Sequence, residues 1–65
     1  MRVKFGNHID ECSRVRHSDN SNLLLITTGN SVYAVNCGTK ETAAELLQKV
    51  LTDGYIDVSH LQYSN

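Results

Sequence analysis

The sequence predicts an α+β fold: a small antiparallel sheet of three to five strands, with one C-terminal amphipathic helix packed on one of its faces. Two observations predict it. Residues 1–36 contain short runs of alternating apolar and polar residues, separated by clusters of Gly, Asn, Ser and Asp. Residues 40–53 instead repeat apolar residues at helical spacing. The predicted order is β-β-β-β-α, and the tail after residue 54 can add a last short strand.

The length of the chain, 65 residues, predicts a single domain over residues 1–65. A domain this small buries roughly 60% of the surface that its unfolded chain exposes, so its core is marginal. Such chains are usually stabilised by a disulfide, a metal ion or a partner subunit. A disulfide requires paired cysteines, a metal ion requires clustered ligands, and a partner subunit requires an exposed apolar surface.

The first predicted hairpin joins the alternating segment MRVKF to the more polar run HIDECSRVRHS. A GN pair between them is a strong turn signal. A loop of three residues, from Gly6 to His8, pairs Phe5 with Ile9 and separates the polar from the apolar face. A two-residue loop mixes polar and apolar residues on each face, so we expect the three-residue loop.

The second predicted hairpin, LLLITTGNSVYAVN, gives the strongest strand signal in the chain. Gly29 and Asn30 form its two-residue loop, in which glycine is expected to supply the positive φ of a primed turn. That loop pairs Ile26 with Tyr33 on one face and Leu25 with Ala34 on the other. Both faces of this hairpin are therefore apolar.

The predicted helix runs from Lys40 to Asp53. Thr39 is a suitable N-cap, and Gly54 is the expected left-handed residue after the last turn. Five apolar residues fall on one stripe of this helix and are expected to face the sheet: Ala43, Leu46, Leu47, Val50 and Leu51.

One helix can cover only one face of the central hairpin. The other face is the candidate protein interface, because a contiguous apolar patch marks an interaction surface. A homodimer formed by sheet stacking is the simplest way to cover it, and binding of another protein is the other. Alternatively, the N-terminal hairpin curls over and hides this face in a small barrel. The candidate interface residues are Leu23, Leu25, Val32 and Ala34.

The composition argues against several classes of function. The formal net charge of −1 lacks the basic excess of a duplex-binding protein. The longest apolar run is LLLI, far short of a membrane span, and the N-terminus does not resemble a signal peptide. We therefore expect a cytoplasmic protein without membrane contact, in which the two cysteines are thiols.

Neither a metal site nor a cofactor is expected. Structural zinc sites use closely spaced ligand pairs, whereas Cys12 and Cys37 are far apart in the sequence. His8 lies four residues before Cys12, but this spacing spans about 13 Å along a strand. The remaining histidines, His17 and His60, have no ligand pair beside them. A metal ion would need ligands that converge from distant parts of the chain.

An enzymatic function is not expected either. Cys37 precedes a helix N-terminus, where a thiol pKa can be lowered, but no base is placed beside it by the sequence. The interpretation that it fills a small gap in the core is preferred. Gly38 and Thr39 could form an anion-binding helix mouth, yet capping alone accounts for Thr39. The adjacent carboxylates Asp10 and Glu11 point to opposite faces of a strand.

Two hypotheses of function follow. The preferred one is a small non-enzymatic module that regulates a partner protein by binding it. By association only, it extends to an accessory protein of the phage or mobile-element type. The alternative is a nucleic-acid-associated regulator that uses a basic N-terminal hairpin, although nucleic acid is the less favoured partner. Its candidate contacts are Arg2, Lys4, Arg14 and Arg16.

Overall fold

The computed structural model of this chain describes residues 1–64 and has an α+β fold, as predicted. Along these residues the elements are β1 (Arg2–Phe5), β2 (His8–Glu11), β3 (Arg14–His17), β4 (Leu23–Thr27), β5 (Val32–Asn36), α1 (Lys40–Asp53), β6 (Tyr55–Asp57) and β7 (Gln62–Ser64). The strands form two sheets rather than the single antiparallel sheet that was expected. The order is β2-β1-β6 in the three-stranded sheet and β3-β4-β5-β7 in the four-stranded sheet.

The division into two sheets arises where the polar run after the first turn changes partners. The Cys12 N–H donates to the Met1 carbonyl at 2.8 Å, and the Ser13 N–H donates to the Thr27 carbonyl at 2.9 Å. Successive residues are thus bonded to different sheets. What the sequence predicted as one long strand is two short ones, β2 and β3, so that five strands precede the helix instead of four.

The register predicted for the first hairpin is wrong. Phe5 lies opposite His8, and Lys4 lies opposite Ile9, across a two-residue loop. Gly6 has φ +63°, which suits the first central position of a II′ turn, a turn whose twist matches that of paired strands. Because β2 is an edge strand, segregating its faces would bury little apolar surface, and the turn geometry decides the register. Ile9 is consequently 51% exposed.

The central hairpin has the predicted register over its whole length, with Leu25 opposite Ala34 and Ile26 opposite Tyr33. The prediction of a primed turn is wrong, because neither Gly29 nor Asn30 has a positive φ. The loop is closed by a hydrogen bond from the Thr28 N–H to the Ser31 carbonyl at 2.9 Å. The alternation of buried residues therefore sets this register, not a primed turn.

The helix begins and ends where predicted. The Thr39 hydroxyl oxygen accepts a hydrogen bond from the Thr42 N–H at 3.1 Å, and Gly54 ends the helix with φ +73°. Ala43 and Val50 are fully buried, but Leu51 is 59% exposed, so its place on the buried stripe is wrong. It lies about 80° around the helix from Ala43 at about 100° per residue, which is beyond the edge of the packed side.

Both the helix and the three-stranded sheet pack on one face of the four-stranded sheet, here called the inner face. Leu24, Ile26 and Val35 point to this face and are 0% exposed. The ring of Phe5 in β1 lies 4.7 Å from that of Tyr33 in β5, and α1 contacts β3 and β4. The N-terminal hairpin does curl over the central hairpin, as the alternative supposed, but it shares the inner face with the helix.

The C-terminal tail supplies a strand to each sheet. β6 runs parallel to β1, and the Val58 N–H extends this pairing to the Lys4 carbonyl at 3.0 Å. β7 then pairs antiparallel with β5 at the edge of the four-stranded sheet. Within residues 1–64, no helix is long and apolar enough to cross a membrane.

Candidate protein interface

The face of the four-stranded sheet opposite the inner face, here called the outer face, carries the four apolar residues that the sequence singled out. In β4 the residues that alternate with the buried Leu24 and Ile26 are Leu23 and Leu25. In β5 the residues on either side of Tyr33 are Val32 and Ala34. Cross-strand pairing puts Leu25 directly opposite Ala34, so the apolar side chains form one contiguous group.

Neither the helix nor the three-stranded sheet covers this group, because both pack on the inner face. Val32 is 53% exposed, while Leu23, Leu25 and Ala34 are half-buried. The outer face thus retains an apolar centre that is accessible to another molecule.

A basic edge borders the apolar centre. In β3, Arg16 pairs with Leu25 and Arg14 pairs with Thr27, so both arginines share the outer face. Both are exposed. Together with Leu25, Thr27 and Val32 they line a depression that is open to solvent. A partner seated on the apolar centre would therefore meet two guanidinium groups on this side.

The opposite edge is polar and uncharged. In β7, Ser64 pairs with Ala34 and Gln62 pairs with Asn36. These residues border a second open depression, which also includes Leu23. The strand positions of the outer face within residues 1–64 carry no carboxylate. The face is thus apolar at its centre and positive at one edge.

The ion pairs found among residues 1–64 lie elsewhere. The terminal ammonium of Met1 is 4.0 Å from Glu11, and His8 Nε2 is 2.8 Å from Asp10 Oδ1, a pair that is ionic only when the histidine is protonated. Both belong to the three-stranded sheet. Within the described residues, Arg14 and Arg16 have no carboxylate partner and keep their charge available.

The four basic residues of the nucleic-acid hypothesis are divided between the two sheets. Arg2 lies on β1 opposite Glu11, and Lys4 lies beside Asp57 of β6. Arg14 and Arg16 lie on β3 of the other sheet. The structure therefore brings Arg14 and Arg16 together with the apolar interface residues, and separates them from Arg2 and Lys4.

Sequence reasoning missed the combination of these arginines with the apolar face. The R-V-R triplet could have indicated part of this combination, because Arg14 and Arg16 must share one face of a strand if Val15 is buried on the other. Val15 is in fact 7% exposed. The pairing of β3 with β4 is nonlocal, however, and nothing in the triplet identifies the neighbouring strand.

The two cysteines are buried free thiols. Cys12 is 3% and Cys37 is 5% exposed. Burial raises the pKa of the Cys37 thiol above its ordinary value of 9.0. Burial likewise raises the pKa of Cys12, although the positive N-terminus opposes the shift. A helix N-terminus follows Cys37, but desolvation outweighs any lowering of its pKa, and a neutral buried thiol is a poor nucleophile.

A polar cluster links the first turn to the connection after β6. The Gly6 N–H donates to the Ser59 hydroxyl oxygen at 2.7 Å, and the Ser59 hydroxyl donates to the Asp57 carboxylate at 2.5 Å. Hydrogen bonds from the Ser59 hydroxyl and N–H hold the pKa of Asp57 below its usual 3.8. This cluster joins the two loops.

The remaining titratable residues do not converge. Among residues 1–64, no three His, Cys, Asp or Glu side chains stand close enough together to hold a metal ion. His17 instead bonds the Ser21 carbonyl at 2.6 Å, closing the turn after β3. His60 is exposed after β6.

Comparisons with known proteins add no relative. No family model matches the chain, and neither a curated protein nor a solved structure matches it significantly. The geometry of the outer face therefore carries the functional argument by itself.

Proposed function

We propose that this chain is a non-enzymatic protein-interaction module whose binding surface is the outer face of the four-stranded sheet. The observation that supports the proposal is that the helix and the three-stranded sheet both pack on the inner face. The apolar centre formed by Leu23, Leu25, Val32 and Ala34 is thereby left without a covering layer.

In a domain of this size, apolar side chains left outside the core are a substantial loss of stability. A small domain has little core to spare, and fully burying one Val or Leu side chain contributes about 1.5–3 kcal/mol. Leaving two leucines, a valine and an alanine on one uncovered face forgoes part of that stabilisation. A partner that covers the face recovers it, and the regulatory effect follows from whether the partner is bound.

The partner is a protein because of the chemistry of the surface. Apolar aliphatic side chains at the centre and charged or polar residues at the rim are the arrangement of protein interfaces. A nucleic-acid surface would use a wider basic area and aromatic side chains on which bases stack. The outer face has two arginines and no aromatic residue at its strand positions within residues 1–64.

Site-specific photo-crosslinking tests the proposal. A photoreactive phenylalanine analogue replaces Val32, which is 53% exposed on the outer face, in the organism that encodes the chain. The matched control carries the same analogue at Leu51, which is 59% exposed on the helix. We expect a discrete protein adduct from position 32 and none from position 51. No adduct at position 32, or the same adducts at both positions, would contradict the proposal.

The mass of the adduct separates the two kinds of partner. A homodimer gives an adduct of twice the 7.2 kDa chain, whereas a different protein adds its own mass. Light scattering on the purified chain gives the same distinction without the crosslinker. A strictly monomeric species at high concentration would rule out the homodimer and leave binding to a different protein.

A further inference from the structure

We propose that the partner of the outer face is an acidic, apolar segment of another protein, in which carboxylates flank the side chains that cover Leu25 and Val32. This inference rests on the proposed function and adds the chemical class of the partner. It is carried by the position of Arg14 and Arg16 beside the apolar centre and by the lack of any carboxylate among the strand positions of the outer face within residues 1–64.

Arg14 and Arg16 keep their charges available to a partner. Both are exposed, and neither has an ion-pair partner among the described residues. Register places the Arg16 Cα directly across from Leu25 and the Arg14 Cα directly across from Thr27. A segment lying on the apolar centre would thus come within reach of both guanidinium groups. Arginine binds carboxylates through paired N–H donors, which gives orientation as well as attraction.

A second copy of the chain is not the favoured occupant of the outer face. In a two-fold stack of outer faces with aligned strands, the arginine edge lies either on the partner's arginine edge or on its Gln62 and Ser64 edge. The first arrangement opposes like charges, and the second brings the arginines to Gln62 and Ser64, which are neutral. Neither supplies a carboxylate from the described strand positions. A partner with acidic residues pairs both arginines, whereas the homodimer either opposes them with like charges or leaves them beside the neutral Gln62 and Ser64 edge.

Protection of the sheet edge is a simpler role for Arg14 and Arg16. Charged side chains on an edge strand such as β3 also discourage pairing between sheet edges. Either sign of charge would serve that purpose. Reversing the charges therefore keeps the edge protection and changes only the preference for an acidic partner.

The experiment selects random peptides displayed on phage against the immobilised full chain, and measures the enriched peptides in solution. Amide chemical shifts locate each peptide on the chain. Affinities are compared for the wild type, the Arg14→Glu/Arg16→Glu double variant and the conservative Arg14→Lys/Arg16→Lys variant. The control matched in charge is Arg2→Glu/Lys4→Glu on the three-stranded sheet, and its circular dichroism spectrum is checked first because Arg2 lies opposite Glu11 and Lys4 beside Asp57. A single-stranded oligothymidylate serves as the nucleic-acid probe.

We expect the enriched peptides to combine apolar residues with Asp or Glu, and to shift the amide signals of β3, β4 and β5. The Arg14→Glu/Arg16→Glu variant should weaken their binding about tenfold, since two exposed attractions become repulsions. The Arg14→Lys/Arg16→Lys variant should lose less than the reversal, because the charge remains but the paired donors do not. The Arg2→Glu/Lys4→Glu control should bind as the wild type does.

Several outcomes would overturn the inference. If peptides bind the outer face without acidic residues, the acidic partner is wrong but the proposed function stands. If no peptide binds the outer face, both fail. Tighter binding of the oligothymidylate at β3 would favour nucleic acid instead. Should the double reversal variant not fold, the salt dependence of wild-type binding decides, because an affinity unaffected by salt contradicts the role of the arginines.

Discussion

Two adjacent leucines of β4 point to opposite faces of the four-stranded sheet. Leu24 is 0% exposed and belongs to the core, whereas Leu25 is half-buried on the outer face opposite Ala34. Strand periodicity fixes this alternation, so both residues could be assigned to opposite faces from the sequence. Leu51 could not be placed in the same way, because a helical stripe of five apolar residues is wider than the side that packs.

The two thiols are expected to react slowly with labelling reagents in the folded chain. Because burial raises the pKa of Cys37 and Cys12, the folded state holds both thiols neutral at a pH where the unfolded chain ionises them. The free energy of unfolding contributed by the thiols is therefore complete below the ordinary pKa of 9.0 and decreases as pH rises above it. We expect slow labelling by a disulfide reagent at neutral pH and rapid labelling in guanidinium chloride.

The control for this prediction is the Cys12→Ala/Cys37→Ala variant. Relative to it, the wild type should lose more of its unfolding free energy between pH 9 and higher values. Native labelling as fast as labelling of the denatured chain would contradict the buried thiols.

Among the elements, those defined by local interactions were predicted best. The helix boundaries follow from the Thr39 cap and Gly54, and the central hairpin follows from its alternating residues. The pairing of elements with distant partners was not predicted. Nothing near Cys12 in the sequence indicates that the strand changes sheets there, and nothing after Gly54 indicates that β6 pairs parallel with β1. Sequence patterns report faces and ends of elements, not the neighbours that pair with them.

Substitution of Gly54 and of Gly29 by alanine tests how much the left-handed backbone conformation at the end of the helix contributes to stability. Apart from the glycine itself and its two chain neighbours, no atom lies within 4 Å of a Cβ added at Gly54 or at Gly29, so neither alanine meets a steric obstacle from the rest of the chain. Gly54, however, has φ +73°, and Gly29 does not have a positive φ. We expect Gly54→Ala to lower the free energy of unfolding by about 1–2 kcal/mol. Gly29→Ala should change it by less than about 1 kcal/mol, in the stabilising direction.

Denaturant unfolding followed by circular dichroism measures both variants. Equal losses from Gly54→Ala and Gly29→Ala would show that the left-handed conformation at the end of the helix carries no special cost.

For the whole molecule, the arrangement of layers decides which surface can bind. The sequence established that one helix cannot cover both faces of the central hairpin, and the four candidate interface residues do share one face. It could not establish where the N-terminal hairpin packs, because that depends on contacts such as the one between Phe5 and Tyr33. Nor could it join Arg14 and Arg16 to the interface, since β3 was predicted as part of the N-terminal hairpin.

The accessibility of methyl groups to a dissolved nitroxide tests the central claim, an outer face left open by the chain, most directly. The measurement uses the isolated protein at a concentration where light scattering gives 7.2 kDa. We expect the nitroxide to broaden the methyl signals of Leu25, Val32 and Ala34, and to leave those of Leu24 and Val35 sharp. Equal protection of both sets in the monomer would contradict the account, because the outer face would then be covered by the chain itself.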